Sequence, residues 1–271
     1  MTIGEWLTHA KLELAQIGAP AIEAEVLLGH ALTQERPWLL AHSIDEFPDP
    51  SRANELLGRR LAREPLAYLT GSREFYGRRF IVSPAVLIPR QETETLVEAG
   101  LEAIDRGACR VLDLCSGSGE IGITLKLERP RATVVLADIS PAANEIARRN
   151  AESRGVKVEV LESDLFETVP GKVHLIVCNP PYISRDASLE PEVAHHEPAL
   201  ALYADEQGYS VYRAIAYRAR DFLIEGGELW LEVGDGMVPE VRAIFEGAHW
   251  VLQGSRFDLL GHERVVGFRV E

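Results

Sequence analysis

Asn179-Pro180-Pro181-Tyr182 closes an apolar run, Val173 to Cys178, that reads as a strand buried on both faces. Two consecutive prolines fix φ, remove two N–H donors and hold Asn179 extended. Backbone carbonyls and the Asn179 carboxamide are therefore expected to stand at the strand end without internal partners. Rigid acceptors of this kind fit a planar –NH2 group, either a carboxamide or an exocyclic base amine, with Tyr182 as a flat apolar wall beside it.

A second constellation lies upstream. In VLDLCSGSGEIG, Gly117, Gly119 and Gly122 satisfy G-x-G-x-x-G between a predicted strand and a predicted helix, and Asp138 follows 21 residues after Gly117, where a carboxylate can accept ribose hydroxyls. The loop suits a dinucleotide, whose pyrophosphate would sit on the helix N-terminus. It also suits S-adenosylmethionine. Asp113 at the strand end and Glu120 in the first helical turn would repel phosphates but attract a cation, which favours the second ligand. Glu120 also reads as a partner of the helix dipole. Asp164 is placed to accept from an adenine amino group, with Leu165 and Phe166 to pack on the ring; an Asp here can equally cap a helix.

The elements that must position these residues follow from periodicity. Thr2-Ile3-Gly4-Glu5 reads as a capping box, and apolar residues at helical spacing predict a four-helix bundle over residues 1–65. Aromatic and β-branched residues around Gly71 and Gly77 predict a β-hairpin connector over 66–90. From 91 to 271, strands and helices alternate: Arg110 to Leu114, Thr133 to Ala137, Val156 to Leu161, the strand ending at Cys178, and Glu228 to Val233. That order predicts an α/β fold, a doubly wound and mostly parallel sheet, with an antiparallel hairpin at its C-terminal edge.

Composition sets the remaining bounds. A formal charge of −14 without a long Lys/Arg run disfavours direct nucleic-acid binding. Cys109, Cys115 and Cys178 form no disulfide framework, as expected in a reducing cytoplasm, and Cys178 reads as a packing residue. The N-terminus has no leader pattern and no apolar run approaches membrane-spanning length. His195, His196 and Glu197 lack a second group of ligands, so no metal is expected. Neither a G-x-S-x-G elbow nor a Walker lysine motif is present.

Together, the connector FYGRRFIVSPAVLIPRQETETLVE, LDLCSGSG, ADIS, SDLFE, NPPY, HEPALAL and HERVVGF make the chain resemble the HemK/PrmC family of protein-(glutamine-N5) methyltransferases. The resemblance spans essentially the whole chain. It implies a Rossmann-like S-adenosylmethionine-dependent methyltransferase sheet behind a small N-terminal helical domain. It further implies a cytoplasmic enzyme, with S-adenosylhomocysteine as product, acting on the Gly-Gly-Gln glutamine of class 1 peptide chain release factors. Candidate cofactor contacts are Asp113, Cys115, Ser116, Gly117, Ser118, Gly119, Asp138, Ile139, Asp164, Leu165 and Asn179. Asn179, Pro180, Pro181 and Tyr182 are the candidate substrate contacts, with Asn179, Pro180 and Tyr182 catalytic. The helical domain is expected to dock the protein substrate, and the enzyme to be a monomer. Gln91 stands where the family usually has Pro, and Leu165 where it has an aromatic. Asn-Pro-Pro-Tyr is shared with amino-methyltransferases of adenine and of other glutamines, which leaves another amino target open. A non-catalytic nucleotide-binding module is disfavoured by the retained Asp113, Asp138 and complete Asn-Pro-Pro-Tyr.

Overall fold

The computed structural model describes residues 1–270 and divides into two compact units, Met1–Ser72 with Leu189–His196, and Arg73–Ser188 with Glu197 onward. The first is helical: α1 (Ile3–Gln16), α2 (Ile22–Leu32), α3 (Arg36–Ala41), α4 (Ser51–Leu61) and α5 (Leu66–Thr70). The Thr2 side chain accepts from the Glu5 N–H, and the Glu5 carboxylate accepts from the Thr2 N–H, so the capping box forms. Trp6, Leu14, Leu27, Leu28, Leu39 and Leu56 are fully enclosed in its core. The connector expected to begin at residue 66 starts later. Leu66–Thr70 is a fifth helix whose Leu69 packs into the bundle core, because Pro65 fits the extended N-cap position and Gly71, at φ 72°, ends the helix.

The second unit opens with a hairpin, β1 (Ser72–Phe75) and β2 (Arg78–Ile81). It continues through α6 (Glu94–Asp105), β3 (Arg110–Leu114), α7 (Glu120–Glu128), β4 (Thr133–Asp138), α8 (Pro141–Ser153), β5 (Glu159–Glu162) and β6 (Val173–Cys178). Two-residue strands β7 (Ile183–Ser184) and β8 (Tyr203–Ala204) pair with each other; between them in sequence come α9 (Pro191–His196), which belongs to the first unit, and α10 (Ala199–Leu202). The chain ends in α11 (Ser210–Arg218), β9 (Leu223–Glu232), α12 (Val238–Gly247), β10 (Val251–Phe257) and β11 (Glu263–Arg269). The sheet order is β10-β11-β9-β6-β3-β4-β5, parallel except at β11, as the sequence predicts. One predicted strand shifts. Val156 donates its N–H to Ala151 O at the end of α8, so β5 starts only at Glu159.

Alternation along the strands builds two cores. Leu112, Leu114, Ile176 and Cys178 face one, and Val111, Leu175 and Val177 the other. From β3 the sheet grows through β4 and β5 on one side and through β6 and β9 on the other, so β3 and β6 flank the point where the strand order reverses. Their register, Leu114 opposite Cys178, brings the glycine loop and Asn179 out of the sheet at the same level. Open sheets bind ligands at such a crevice.

Candidate active site

The loop after β3 is tied down by backbone hydrogen bonds. Cys115 adopts the left-handed region at φ 58°, the Ser116 N–H donates to Ala137 O at 3.1 Å, and the Gly117 N–H donates to Asp138 Oδ2 at 2.9 Å. The Ser140 N–H donates to the other Asp138 oxygen at 2.9 Å. Gly119 caps α7 at φ 79°. At Gly122, a Cβ would come within 2.3 Å of Leu136 Cδ2 and 2.9 Å of Asp113 Oδ2, so only glycine lets α7 approach the sheet this closely.

A cavity of about 360 Å³ opens above this loop. Of the residues expected to contact a cofactor, Cys115, Gly117, Asp138, Ile139, Asp164, Leu165 and Asn179 line it. Ser116, Ser118 and Gly119 are buried under its floor. Asp113 departs from expectation. It is completely buried, outside the lining, and its Oδ2 accepts the Gly122 N–H at 2.8 Å while Oδ1 has no partner. Strand alternation turns this side chain toward α7, away from the strand end. The carboxylate that does line the cavity is Glu120, 7% exposed, with Oε2 accepting from Ser118 Oγ at 2.6 Å. Phe166 also departs: it is enclosed in the core, stacked on Phe222 at 4.8 Å, and leaves Leu165, held at φ 48°, as the apolar group on the cavity wall.

Charge in this crevice is one-sided. Burial raises the pKa of Asp113 far above the carboxylate range, with Glu120 adding to the shift; it raises Glu120 to about 7, and Asp138 in the same direction. Arg90 pulls Glu120 the other way but does not outweigh burial. Buried carboxylates without matching cations favour a cationic ligand and oppose a polyphosphate.

At the end of β6, Asn179 and Pro181 line the cavity. The expectation that the Asn179 carboxamide lacks an internal partner is corrected: Nδ2 donates to Thr93 Oγ1 at 3.4 Å. That assignment leaves Oδ1 as the acceptor. Pro180 is buried. Tyr182 is not part of the cavity wall; its hydroxyl reaches Glu232 Oε1 at 3.5 Å, and its ring lies where a Cβ on Gly234 would meet it at 3.0 Å.

Several residues of the crevice have no role assigned by the sequence reading. Glu197, the second residue of the HEPALAL segment, is buried; its Oε2 accepts the Ile88 N–H at 3.0 Å and its Oε1 pairs with Arg90 at 2.5 Å. This clamp holds the connector strip Ala85 to Leu87, which forms one wall, while Pro198, Leu200 and Ala201 form another. Thr93 accepts from Asn179, and Glu232 from Tyr182. Composition and spacing do not mark what these residues do, since Glu197, Thr93 and Glu232 each act on a side chain or backbone group 50 or more residues away. His195 and His196 end α9, and among the described residues no group of three or more His, Cys, Asp or Glu could hold a metal ion.

Comparison with known proteins finds two family models along the chain. Residues 5–71 match the family model described as the PrmC N-terminal domain, and residues 92–196 match the methyltransferase small domain. A release factor glutamine methyltransferase of Bordetella pertussis is 42% identical over 267 residues, covering 96% of this chain and 99% of the relative. One from Neisseria gonorrhoeae is 44% identical, covering 90% and 89%. Among solved structures, a methyltransferase from Pyrococcus furiosus superposes with a TM-score of 0.54 at 15% identity, covering 80% of this chain and 98% of that one. A ribosomal protein L11 methylase from Lactobacillus delbrueckii gives 0.52 at 18% identity, covering 73% and 89%. These two likenesses concern the fold.

Proposed function

The chain belongs to the family of release factor glutamine methyltransferases, and from that premise we propose that it methylates the side-chain amide nitrogen of the Gly-Gly-Gln glutamine in class 1 peptide chain release factors. The observation that carries the proposal is the placing of the Asn179 carboxamide, at the end of β6, on the wall of a cavity whose buried carboxylates await a cation. S-adenosylmethionine is the methyl donor, and bound there it supplies an electrophilic methyl group on a sulfonium centre.

The residues that line the cavity support a choice of holding groups. Asp138 and Ile139 would hold the ribose, Asp164 and Leu165 the adenine, and Glu120 with the Cys115–Gly119 loop the methionine end. Asp113 acts from beneath, by holding the Gly122 amide. The substrate amide nitrogen is a weak nucleophile because its lone pair is delocalised into the carbonyl. Asn179 Oδ1 and the Pro180 carbonyl accept its two N–H bonds, fix its direction, and stabilise positive charge as it develops. A strong base is unnecessary before transfer, since the nitrogen turns acidic as the bond forms. Tyr182 contributes by holding the loop. The helical unit supplies the docking surface for the release factor, because one glutamine offers too little area for discrimination.

Transfer of label from S-adenosylmethionine to a purified class 1 release factor, run beside the same factor with its Gly-Gly-Gln glutamine replaced, tests the proposal. Label on the first and none on the second is the expected result. Equal label on both moves the target site elsewhere, and label on neither overturns the substrate assignment.

A further inference from the structure

A glutamine that belongs to a folded partner reaches the crevice attached to a surface, and that surface has to be received along with the side chain. Strand register shows what it meets on the catalytic unit. Cys178 on β6 pairs with Leu231 on β9, Leu231 with Val266 on β11, and Val266 with Ser255 on β10, so the four form one row across the sheet. Asn179 stands one residue past this row, at the end where β6 and β9 finish. β11 runs against β9, with Val265 opposite Glu232, so the turn from β10 to β11 leaves the sheet at this same end. Crevice and turn are therefore neighbours along one rim.

Residues 258–262 make the turn, and their hydrogen bonds hold its shape. The Asp258 side chain is 2% exposed; its Oδ1 accepts the Leu260 and His262 N–H groups, each at 2.9 Å, and its Oδ2 accepts from Arg264 Nε at 3.0 Å. Gly261 supplies φ 84°, and the Asp258 N–H donates to His262 O at 2.8 Å. On this frame three large apolar side chains stand in the open: Phe257 at 60% exposure, Leu259 at 89% and Leu260 at 77%. Placed there they add nothing to the core, and clustered apolar exposure marks a surface that meets another molecule.

We propose that the β10–β11 turn is a docking surface for the protein substrate, where Phe257, Leu259 and Leu260 receive an apolar patch of the release factor beside the glutamine it presents. This inference rests on the function proposed above. Distance selects the occupant. Three strand spacings separate β6 from β10, about 14 Å at about 4.8 Å each. A standard protein interface covers about 800 Å² on each partner, a disc of radius about 16 Å. A folded substrate that delivers a side chain to Asn179 thus covers the turn as well. The cofactor does not reach it, since no residue from 257 to 262 lines the cavity. Because the turn is already ordered by Asp258, docking on it costs little conformational freedom.

The test is the double variant Leu259→Ser with Leu260→Ser in the full chain. Both side chains lie in solvent, so the fold is not at stake. With a class 1 release factor as substrate, KM is expected to rise roughly 10- to 100-fold, while kcat and the cofactor Kd stay within about twofold. Leu259→Met with Leu260→Met, which keeps the surface apolar, should stay near wild type. An unchanged KM in the serine variant overturns the proposal. So does a loss carried by kcat or by cofactor affinity, which would locate the damage in the crevice. Sedimentation that shows a wild-type dimer, split by the serine variant, would give the turn to a second copy of this chain and also overturn it. Should the wild type leave the release factor unmethylated, the functional reading falls and the docking surface with it; methylation with equal KM in wild type and serine variant overturns the docking surface alone.

Discussion

In the helical unit Glu25, 8% exposed, lies between Lys11 at 2.7 Å and Arg36 at 2.7 Å, and hydrogen bonds from these two hold its carboxyl below the usual range. Arg60, 3% exposed, is matched by Glu23 at 2.6 Å and by Glu192 at 2.8 Å. In the other unit, Asp113, Glu120 and Glu232 are as deeply enclosed, yet burial shifts all three upward: none of them has a cation in ion-pair contact, and the distant pull of Arg90 on Glu120 and of Arg264 on Glu232 does not outweigh it. The same desolvation penalty is thus neutralised inside the protein in one place and left open in the other. Paired burial serves the fold, whereas unpaired burial marks the place where a cation is to be bound.

The contrast can be broken most directly at Asn179. Asn179→Ala should slow methyl transfer on the order of 10²- to 10³-fold while melting and cofactor affinity stay close to wild type. Single-turnover transfer and calorimetry give the three values, and wild-type turnover would remove Asn179 from the chemistry. Next in size, Arg60→Ala strands Glu23, leaves Glu192 only Arg63 at 3.8 Å, and should cost about 3 kcal/mol in urea unfolding, leaving Asn179 chemistry intact in the folded fraction. A cost below about 1 kcal/mol would mean that the pairing is ornamental.

The pH dependence should differ in sign between the regions. Glu120 and Glu232 bind protons more tightly folded than unfolded, so the stability they contribute is complete below about pH 4.5, the unfolded value, and is lost as pH rises through about 7. The loss is on the order of 1–3 kcal/mol for each. Glu25 works the other way, and its contribution is lost as pH falls through its lowered pKa. Melting of the ligand-free protein should therefore decline between roughly pH 4.5 and 7, and S-adenosylmethionine should restore more stability at the upper end. A flat profile with a constant ligand effect would erase the distinction. The smallest effect is expected from Asp113→Asn, which should stabilise the ligand-free protein by about 1 kcal/mol near pH 8 and leave cofactor affinity nearly unchanged. A collapse of affinity would put Asp113 in contact with the ligand after all.

The strands, the glycine loop and the Asn-Pro-Pro-Tyr turn were legible because each is a local pattern: period-two burial, φ-permissive glycines, and prolines at a strand end. Asp113 and Glu120 show where legibility stopped. Both stand near the loop in sequence, but one points under α7 and the other into the cavity, and only the packing of α7 through Gly122 fixes which. Phe166 was misread for a similar reason, since its stacking partner Phe222 is 56 positions away. The clamp made by Glu197 and the contacts of Thr93 with Asn179 and of Glu232 with Tyr182 depend on long-range approach of single polar residues, which leave no periodic trace in the sequence.

The short segment Leu189–His196 has a practical consequence. Between Ser188 and Glu197 the chain leaves the catalytic unit, gives Glu192 to Arg60 of the helical unit, and returns. A domain exchange between two members of the family cannot therefore be made with one crossover near residue 72. Such a chimera would inherit the acid and the base of one ion pair from different parents. A functional hybrid needs three junctions, near 72, 188 and 196, and the two pieces of the helical unit have to descend together.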